Sequence, residues 1–290
     1  MVFDNKILLN SRLVFPIGLF IILLLTGCGN SSSKSDTDSS AQAAIEAREG
    51  VVKSLSEAGL NTRVYPLASF QKDAIHDISV LPLYMQNSNK SITALMLGVY
   101  MSDLGYINGF GQSVETERYF DGCFLLANDI GMKKQFEKAI DFQFSEILSG
   151  KGNLSPNQEK ILSGADNLVD SIEFKKRHAA ALAGFYLEEL YHMAVFIESS
   201  SVSDSLRIQT FQILMDQKLA LNNLVRYFDH LPMKPEGIAL YTDFLQLQEK
   251  YLSIHFVLFS KESFHSVLEE KPYAEILSSI KMIRVKITSL

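Results

Sequence analysis

Apolar residues recur at helical spacing from Ala41 to Leu290, and no other feature of the sequence constrains the fold as tightly. Near the C-terminus Ile276, Ile280, Ile283 and Ile287 follow an i, i+4, i+7, i+11 pattern, one continuous stripe for a core. Lys281, Arg284 and Lys286 are expected on its solvated face. Gly59, Gly131 and Gly150 stand where C-terminal caps belong. Ser155-Pro156 reads as a helix start, with serine as N-cap and proline at the first helical position. The spacing predicts helices over about 41–58, 69–80, 90–108, 113–130, 133–149, 156–174, 176–199, 204–230, 236–260, 261–270 and 273–289. No run of alternating β-branched residues suggests a sheet, although Asn61 to Pro66 could pair as a short strand. The expected class is all-α, built of packed helical hairpins.

Two of these segments resemble each other. Leu97-Gly98-Val99-Tyr100-Met101-Ser102-Asp103-Leu104 matches Ala183-Gly184-Phe185-Tyr186-Leu187-Glu188-Glu189-Leu190 at an offset of 86 residues. A glycine inside a helix costs about 1 kcal/mol relative to alanine, so a matched pair calls for a packing reason. Close crossing of the two helices would supply it. The alternatives are a diverged duplication of helical hairpins or coincidence in an alanine- and leucine-rich chain.

The N-terminal segment addresses location. Lys6 and Arg12 precede an apolar run from Leu13 to Leu25, which ends in Leu25-Thr26-Gly27-Cys28. That order is the order of a signal peptide, and the run is short beside the roughly 20 apolar residues of a membrane span. The segment resembles the lipobox signals, which implies cleavage before Cys28 and acylation of Cys28. Residues 1–27 are therefore expected to be a cleaved leader and 28–40 a lipidated cysteine with a flexible serine-rich linker. Residues 41–290 are the expected helical domain. The linker would hold its ends on the order of 20 Å apart. Gly29 occupies the place where, by resemblance to enterobacterial sorting signals, an aspartate would retain the protein at the inner membrane. The expected location is thus the cell envelope, at the outer membrane of a Gram-negative bacterium, with the membrane as a partner through Cys28.

Of the two cysteines, Cys123 is left without a partner in the mature chain, so stability must come from apolar burial. It lies in Cys123-Phe124-Leu125-Leu126-Ala127 and reads as a small buried hydrophobe. The formal net charge of −6 argues against a nucleic-acid partner.

Leu97 to Tyr106, Gln112, Tyr119 and Leu126-Ala127-Asn128-Asp129-Ile130-Gly131 resemble segments of a group of all-helical lipoproteins of Bacteroidota. Ala183 to Tyr191, Asp216 to Leu224 and Ile280 to Ile287 are similar to that group as well. The resemblance covers roughly residues 90–290 and implies a helical fold and an envelope location. It carries no activity to transfer. Phe185-Tyr186 depart from it, standing where a tryptophan-containing pair is expected.

Catalytic signatures are few. There is no Gly-x-Ser-x-Gly, His-Glu-x-x-His, Cys-x-x-Cys or P-loop, and Gly109-Phe110-Gly111-Gln112-Ser113 follows a helical segment and reads as a turn. Three of the six histidines have an acid three residues earlier: Asp73 with His76, Glu189 with His192 and Glu262 with His265. Two Glu-x-x-His pairs plus carboxylates from two more helices is the ferritin-like di-iron plan, for which Glu189, His192, Glu262, His265, Asp103 and Asp216 are the candidate ligands. The plainer alternative is a set of ordinary surface pairs at i, i+3. On that reading His192 and His265 lie on outward faces or at helix edges with their glutamates in solvent, and neither metal nor cofactor is needed. The tyrosines at 100, 106, 119, 186, 191, 227, 241 and 251 are expected in the core, each phenol finding a partner at its edge. The chain thus reads as a non-enzymatic binding or scaffold protein with an envelope protein or small ligand as partner. The alternative is a carboxylate and histidine di-metal oxidase or ferroxidase.

Overall fold

The computed structural model describes residues 42–43, 46–47, 50–51, 70–86, 89–134, 172–231, 240–254 and 263–289. The leader, Cys28, the linker, Asn61 to Pro66, Gly59, Gly150, Glu262 and most of the helices expected between 133 and 171 lie outside the described residues. Among the described residues the fold is all-α, with no strand.

The helices are α1 (Leu81–Met85), α2 (Lys90–Gly109), α3 (Ser113–Asp129), α4 (Ile172–Glu198), α5 (Asp204–Asp216), α6 (Lys218–Asp229), α7 (Tyr241–Leu252), α8 (Phe264–Glu269) and α9 (Lys271–Thr288). Sequence dictates several of their ends. Asn89 caps α2, its side-chain oxygen accepting from the Ser91 N–H at 3.1 Å. Gly111 and Gly131, at φ 67° and 75°, stop α2 and α3 in left-handed conformations where a glycine has no Cβ penalty. In the second of these the Met132 N–H reaches back to the Ala127 carbonyl at 2.7 Å, closing the last turn.

Four boundaries differ from the spacing, the first being the helix expected over 236–260, which ends at Leu252. Residues 69–80 form two 3₁₀ turns, Lys72–Ala74 and Ile78–Val80, because the backbone between them bonds outward. The His76 N–H donates to Asp103 at 2.9 Å, the His76 carbonyl accepts from the Tyr119 hydroxyl, and the Asp77 carbonyl accepts from Tyr100 at 3.0 Å. A helix would need those groups for itself. The helix expected over 204–230 is two helices that meet at Gln217. Carbonyls near the joint are taken by buried phenols, Tyr251 on Leu214 at 3.0 Å and Tyr186 on Gln217 at 3.1 Å. Finally, α4 begins by Ile172, so the expected interruption near 175 is absent.

The core is built around α2 and α4, the most extensively paired helices. Every residue of α2 from Thr93 to Ile107 is buried, and apart from Thr93, Ser102 and Asp103 this stretch is apolar or glycine on all sides. Its neighbour α4 is long and apolar enough to cross a membrane, yet its apolar window is largely buried inside the domain, as in a core helix. The two run in the same direction, since Gly98 meets Ala181 and Phe185 while Tyr106, further on, stacks against His192.

Their crossing repeats itself. A Cβ on Gly98 would stand 1.9 Å from the Ala181 carbonyl oxygen, and one on Gly184 would stand 2.0 Å from that of Leu95. Leu95 and Ala181 are equivalent at the 86-residue offset, and so are Val99 and Phe185, which supply the next contacts. Each helix therefore presents its glycine to the backbone of the other in the same way, the arrangement of a local two-fold axis between like segments. Tyr106 and His192, also equivalent, meet across that axis with ring centroids 4.5 Å apart. The antiparallel partners α3 and α5 return along α2 and α4, completing two hairpins.

The stripe on α9 packs as expected, with Ile276, Ile280 and Ile287 wholly buried and Ile283 nearly so. Cys123 is wholly buried too, and burial pushes its thiol well above the ordinary range.

Candidate functional site

Beyond the glycine crossing, one turn further along both helices, the apolar packing between α2 and α4 gives way to polar side chains. Ser102 and Asp103 come from α2, Glu188, Glu189 and His192 from α4, and Arg284 reaches in from α9. Glu188 and His192 share a face of α4 because they are four residues apart. His192 Nε2 stands 3.1 Å from Asp103 Oδ1, and the second Asp103 oxygen accepts the His76 N–H. The other ring nitrogen, Nδ1, faces Ser102 Oγ at 3.5 Å, while Ser102 donates to Glu189 Oε1 at 2.9 Å. Arg284 holds Glu188 through Nη2 at 3.1 Å and Nε at 3.3 Å, and its guanidinium lies 4.7 Å over the Tyr191 ring. Asp103, Glu188 and His192 are fully buried, each offering one ligand-type atom within 4.8 Å of the others.

Burial dominates the electrostatics. It pushes the Asp103 carboxyl up to about 8, against the opposing pull of the His76 N–H and Arg284. Burial and the neighbouring Asp103 lift Glu188 to about 7, although Arg284 and His192 draw it down. Glu189, partly buried, is raised by the same desolvation. His192 is held below its ordinary value by burial, against the pull of Glu188 and Glu189, and His76 is lowered to about 4 by burial with help from Arg284.

These shifts set a pH dependence for the metal-free chain. Carboxyls whose folded values are raised contribute stability that is present at low pH and lost as pH rises through about 7 and 8. Histidines whose folded values are lowered contribute stability that is lost as pH falls below about 6.5. Above pH 6.5 only the first effect remains, so stability should decline up to about pH 8 by up to about 1.4 kcal/mol per pH unit for each proton released, and level off beyond it. Asp103→Asn imitates the protonated acid, its amide oxygen accepting from His76 and its NH₂ donating to His192. In urea titrations at pH 6.5 and 8.5 it should show a clearly smaller decline than the parent. An equal decline would contradict the assignment.

The five described residues of the di-iron plan do not converge. Asp103, Glu189 and His192 are brought together, but Asp216 is exposed at the end of α5. His265 has a side chain 60% exposed beside Asp204, at 3.6 Å, and Glu262 lies outside the described residues. The expectation that both histidines lie on outward faces or at helix edges is also corrected: it holds for His265, whereas His192 is fully buried. Glu189 is bonded to Ser102 and only partly open to solvent. Arg284, expected on the solvated face of α9, turns inward with a side chain 13% exposed. Of the third pair, Asp73 is exposed while the His76 ring is buried against the Tyr84 hydroxyl at 2.9 Å.

Sequence reasoning passed over Glu188, Arg284 and Ser102. A signal was present for the first, since Glu188 and Glu189 are the only acids in the apolar run from Ala179 to Ile197. Adjacent carboxylates there cannot both reach solvent once the helix is enclosed. Of the eight tyrosines expected in the core, Tyr100, Tyr106, Tyr119, Tyr186, Tyr227 and Tyr251 are buried, all but Tyr227 with phenols on backbone carbonyls, whereas Tyr191 and Tyr241 are only partly buried.

No family model matches this chain, and no curated protein or solved structure is significantly similar to it.

Proposed function

We propose that this chain is a lipid-anchored protein of the cell envelope, held through Cys28 at the outer membrane, with a non-enzymatic binding or scaffold role. The observation that carries the reading of the domain is the set of bonds inside the cluster. Asp103, Glu188 and His192 are each engaged by another side chain of the domain, and Arg284 supplies the cation that makes a buried Glu188 tolerable. Groups arranged in this way fasten α2, α4 and α9 to one another. A di-metal oxidase is the weaker reading, because His265 and Asp216 stand on the surface, away from Asp103 and His192.

The tether rests on the order of charged segment, apolar run and Leu25-Thr26-Gly27-Cys28, with the polar linker after it. Several acyl chains on one residue give stable anchoring where one would bind only marginally. Cys28→Ala should lose labelling by a clickable fatty acid and move from the membrane fraction to the soluble one, with its helical circular dichroism retained. Undiminished labelling of the variant would reject the anchor.

A further inference from the structure

We propose that Asp103, Glu188 and His192 form a site for one divalent transition-metal cation at the crossing of α2 and α4. The inference is independent of the lipid tether and differs from the di-iron plan in its ligands and in taking a single ion.

Three observations carry it. The donor set is mixed, two carboxylates and an imidazole, which is a set that Zn²⁺, Mn²⁺ and Fe²⁺ accept. All three donors are fully buried and come from two helices pinned together by reciprocal glycine contacts, so their positions are fixed by the backbone. Second, the spacing suits one ion. Two ligand atoms on the same tetrahedral cation stand roughly 3.3 Å apart, and Asp103 Oδ1 and His192 Nε2 are already at 3.1 Å. Glu188 brings an oxygen within 4.8 Å of both.

Third, the charges do not balance without help. Asp103, Glu188 and Glu189 present three carboxylates to this region, and Arg284 is bonded to one of them, Glu188. Ionised, the group carries an excess of two negative charges at a buried crossing, which a dry interior opposes strongly. One divalent cation cancels that excess. Outer contacts of the kind that orient metal ligands are also in place: His76 N–H on the second Asp103 oxygen, Arg284 on Glu188, and Ser102 beside the far nitrogen of His192. Arg284 would remain on one Glu188 oxygen while the other turned to the ion.

The test uses the full chain in detergent, stripped with a chelator in urea, refolded with Zn²⁺ or, in parallel, Mn²⁺, and desalted before metal analysis. The parent and His265→Ala should each retain about one ion per chain, and Asp103→Asn should retain at least tenfold less while keeping its helical circular dichroism. X-ray absorption of the loaded parent, which does not depend on the variants folding, should show oxygen and nitrogen ligands with the scattering of a single imidazole. Absence of retained metal, equal retention by Asp103→Asn, or an ion without imidazole scattering would each overturn the proposal. About two ions per chain, lost in His265→Ala, would overturn it in favour of the two-metal plan.

Discussion

Gly98→Leu and Gly184→Leu should each destabilise the domain by about 3 kcal/mol or more in urea unfolding, although leucine is the better helix former by close to 1 kcal/mol. The first atom of any side chain at these positions already collides. A Cβ on Gly98 falls 1.9 Å from the Ala181 carbonyl oxygen and 2.6 Å from the Phe185 nitrogen, and one on Gly184 falls 2.0 Å from the Leu95 oxygen. These obstacles are backbone atoms, so no rotamer change relieves the clash and the two helices must separate. Separation would also pull Asp103 from His192. Even alanine should destabilise here, which distinguishes a crossing glycine from one that merely faces open space. A raised melting temperature in either alanine variant would place that glycine outside the contact.

Removing the guanidinium should be comparably damaging. Arg284→Ala leaves Glu188 fully buried without its counter-charge, beside an Asp103 that is itself buried. Breaking a buried pair from one side typically costs about 3–5 kcal/mol, whereas replacing both partners with apolar groups can be close to neutral. Arg284→Met with Glu188→Leu should therefore be markedly more stable than Arg284→Ala alone, and a double-mutant cycle should return a large coupling. Independent, additive losses would mean that the two side chains do not depend on each other.

What was legible in the sequence follows from what is local. The ends of α2 and α3 could be read because Gly111 and Gly131 adopt conformations that glycine favours over any other residue, and the α9 stripe because its period is its own. The matched glycines could be read because the crossing uses the same segment twice. The α5–α6 joint left no such mark. It sits at Gln217, where no glycine or proline stands, and phenols from Tyr251 and Tyr186 bond to carbonyls close to it. The turns at 72–80 were hidden for the same reason, since their backbone bonds go to side chains on α2 and α3.

The cluster was legible by halves. Asp103, Glu189 and His192 stood out as residue types at helical spacing, but that spacing gives no direction. Glu189 and Glu188 differ by one position, about 100° around α4, and it is Glu188 that shares the buried face with His192. Arg284 was assigned to solvent because its neighbours Lys281 and Lys286 lie there, pairing with Glu198 and Asp243 at the surface. A long arginine at the flank of an apolar stripe can reach inward as readily as outward. Only the position of α4 against α9 decides between them.

These ionisable groups face one another inside the domain, and the His192 ring reports on that most directly. In long-range ¹⁵N–¹H spectra of the metal-free full chain in detergent, the ring should stay neutral as pH is lowered through 6.5, with no titration step in its nitrogen shifts. Asp103→Asn should alter its Nε2 resonance. A His192 ring that gains its proton near pH 6.5, and whose shifts ignore Asp103→Asn, would place it in solvent and contradict the buried cluster.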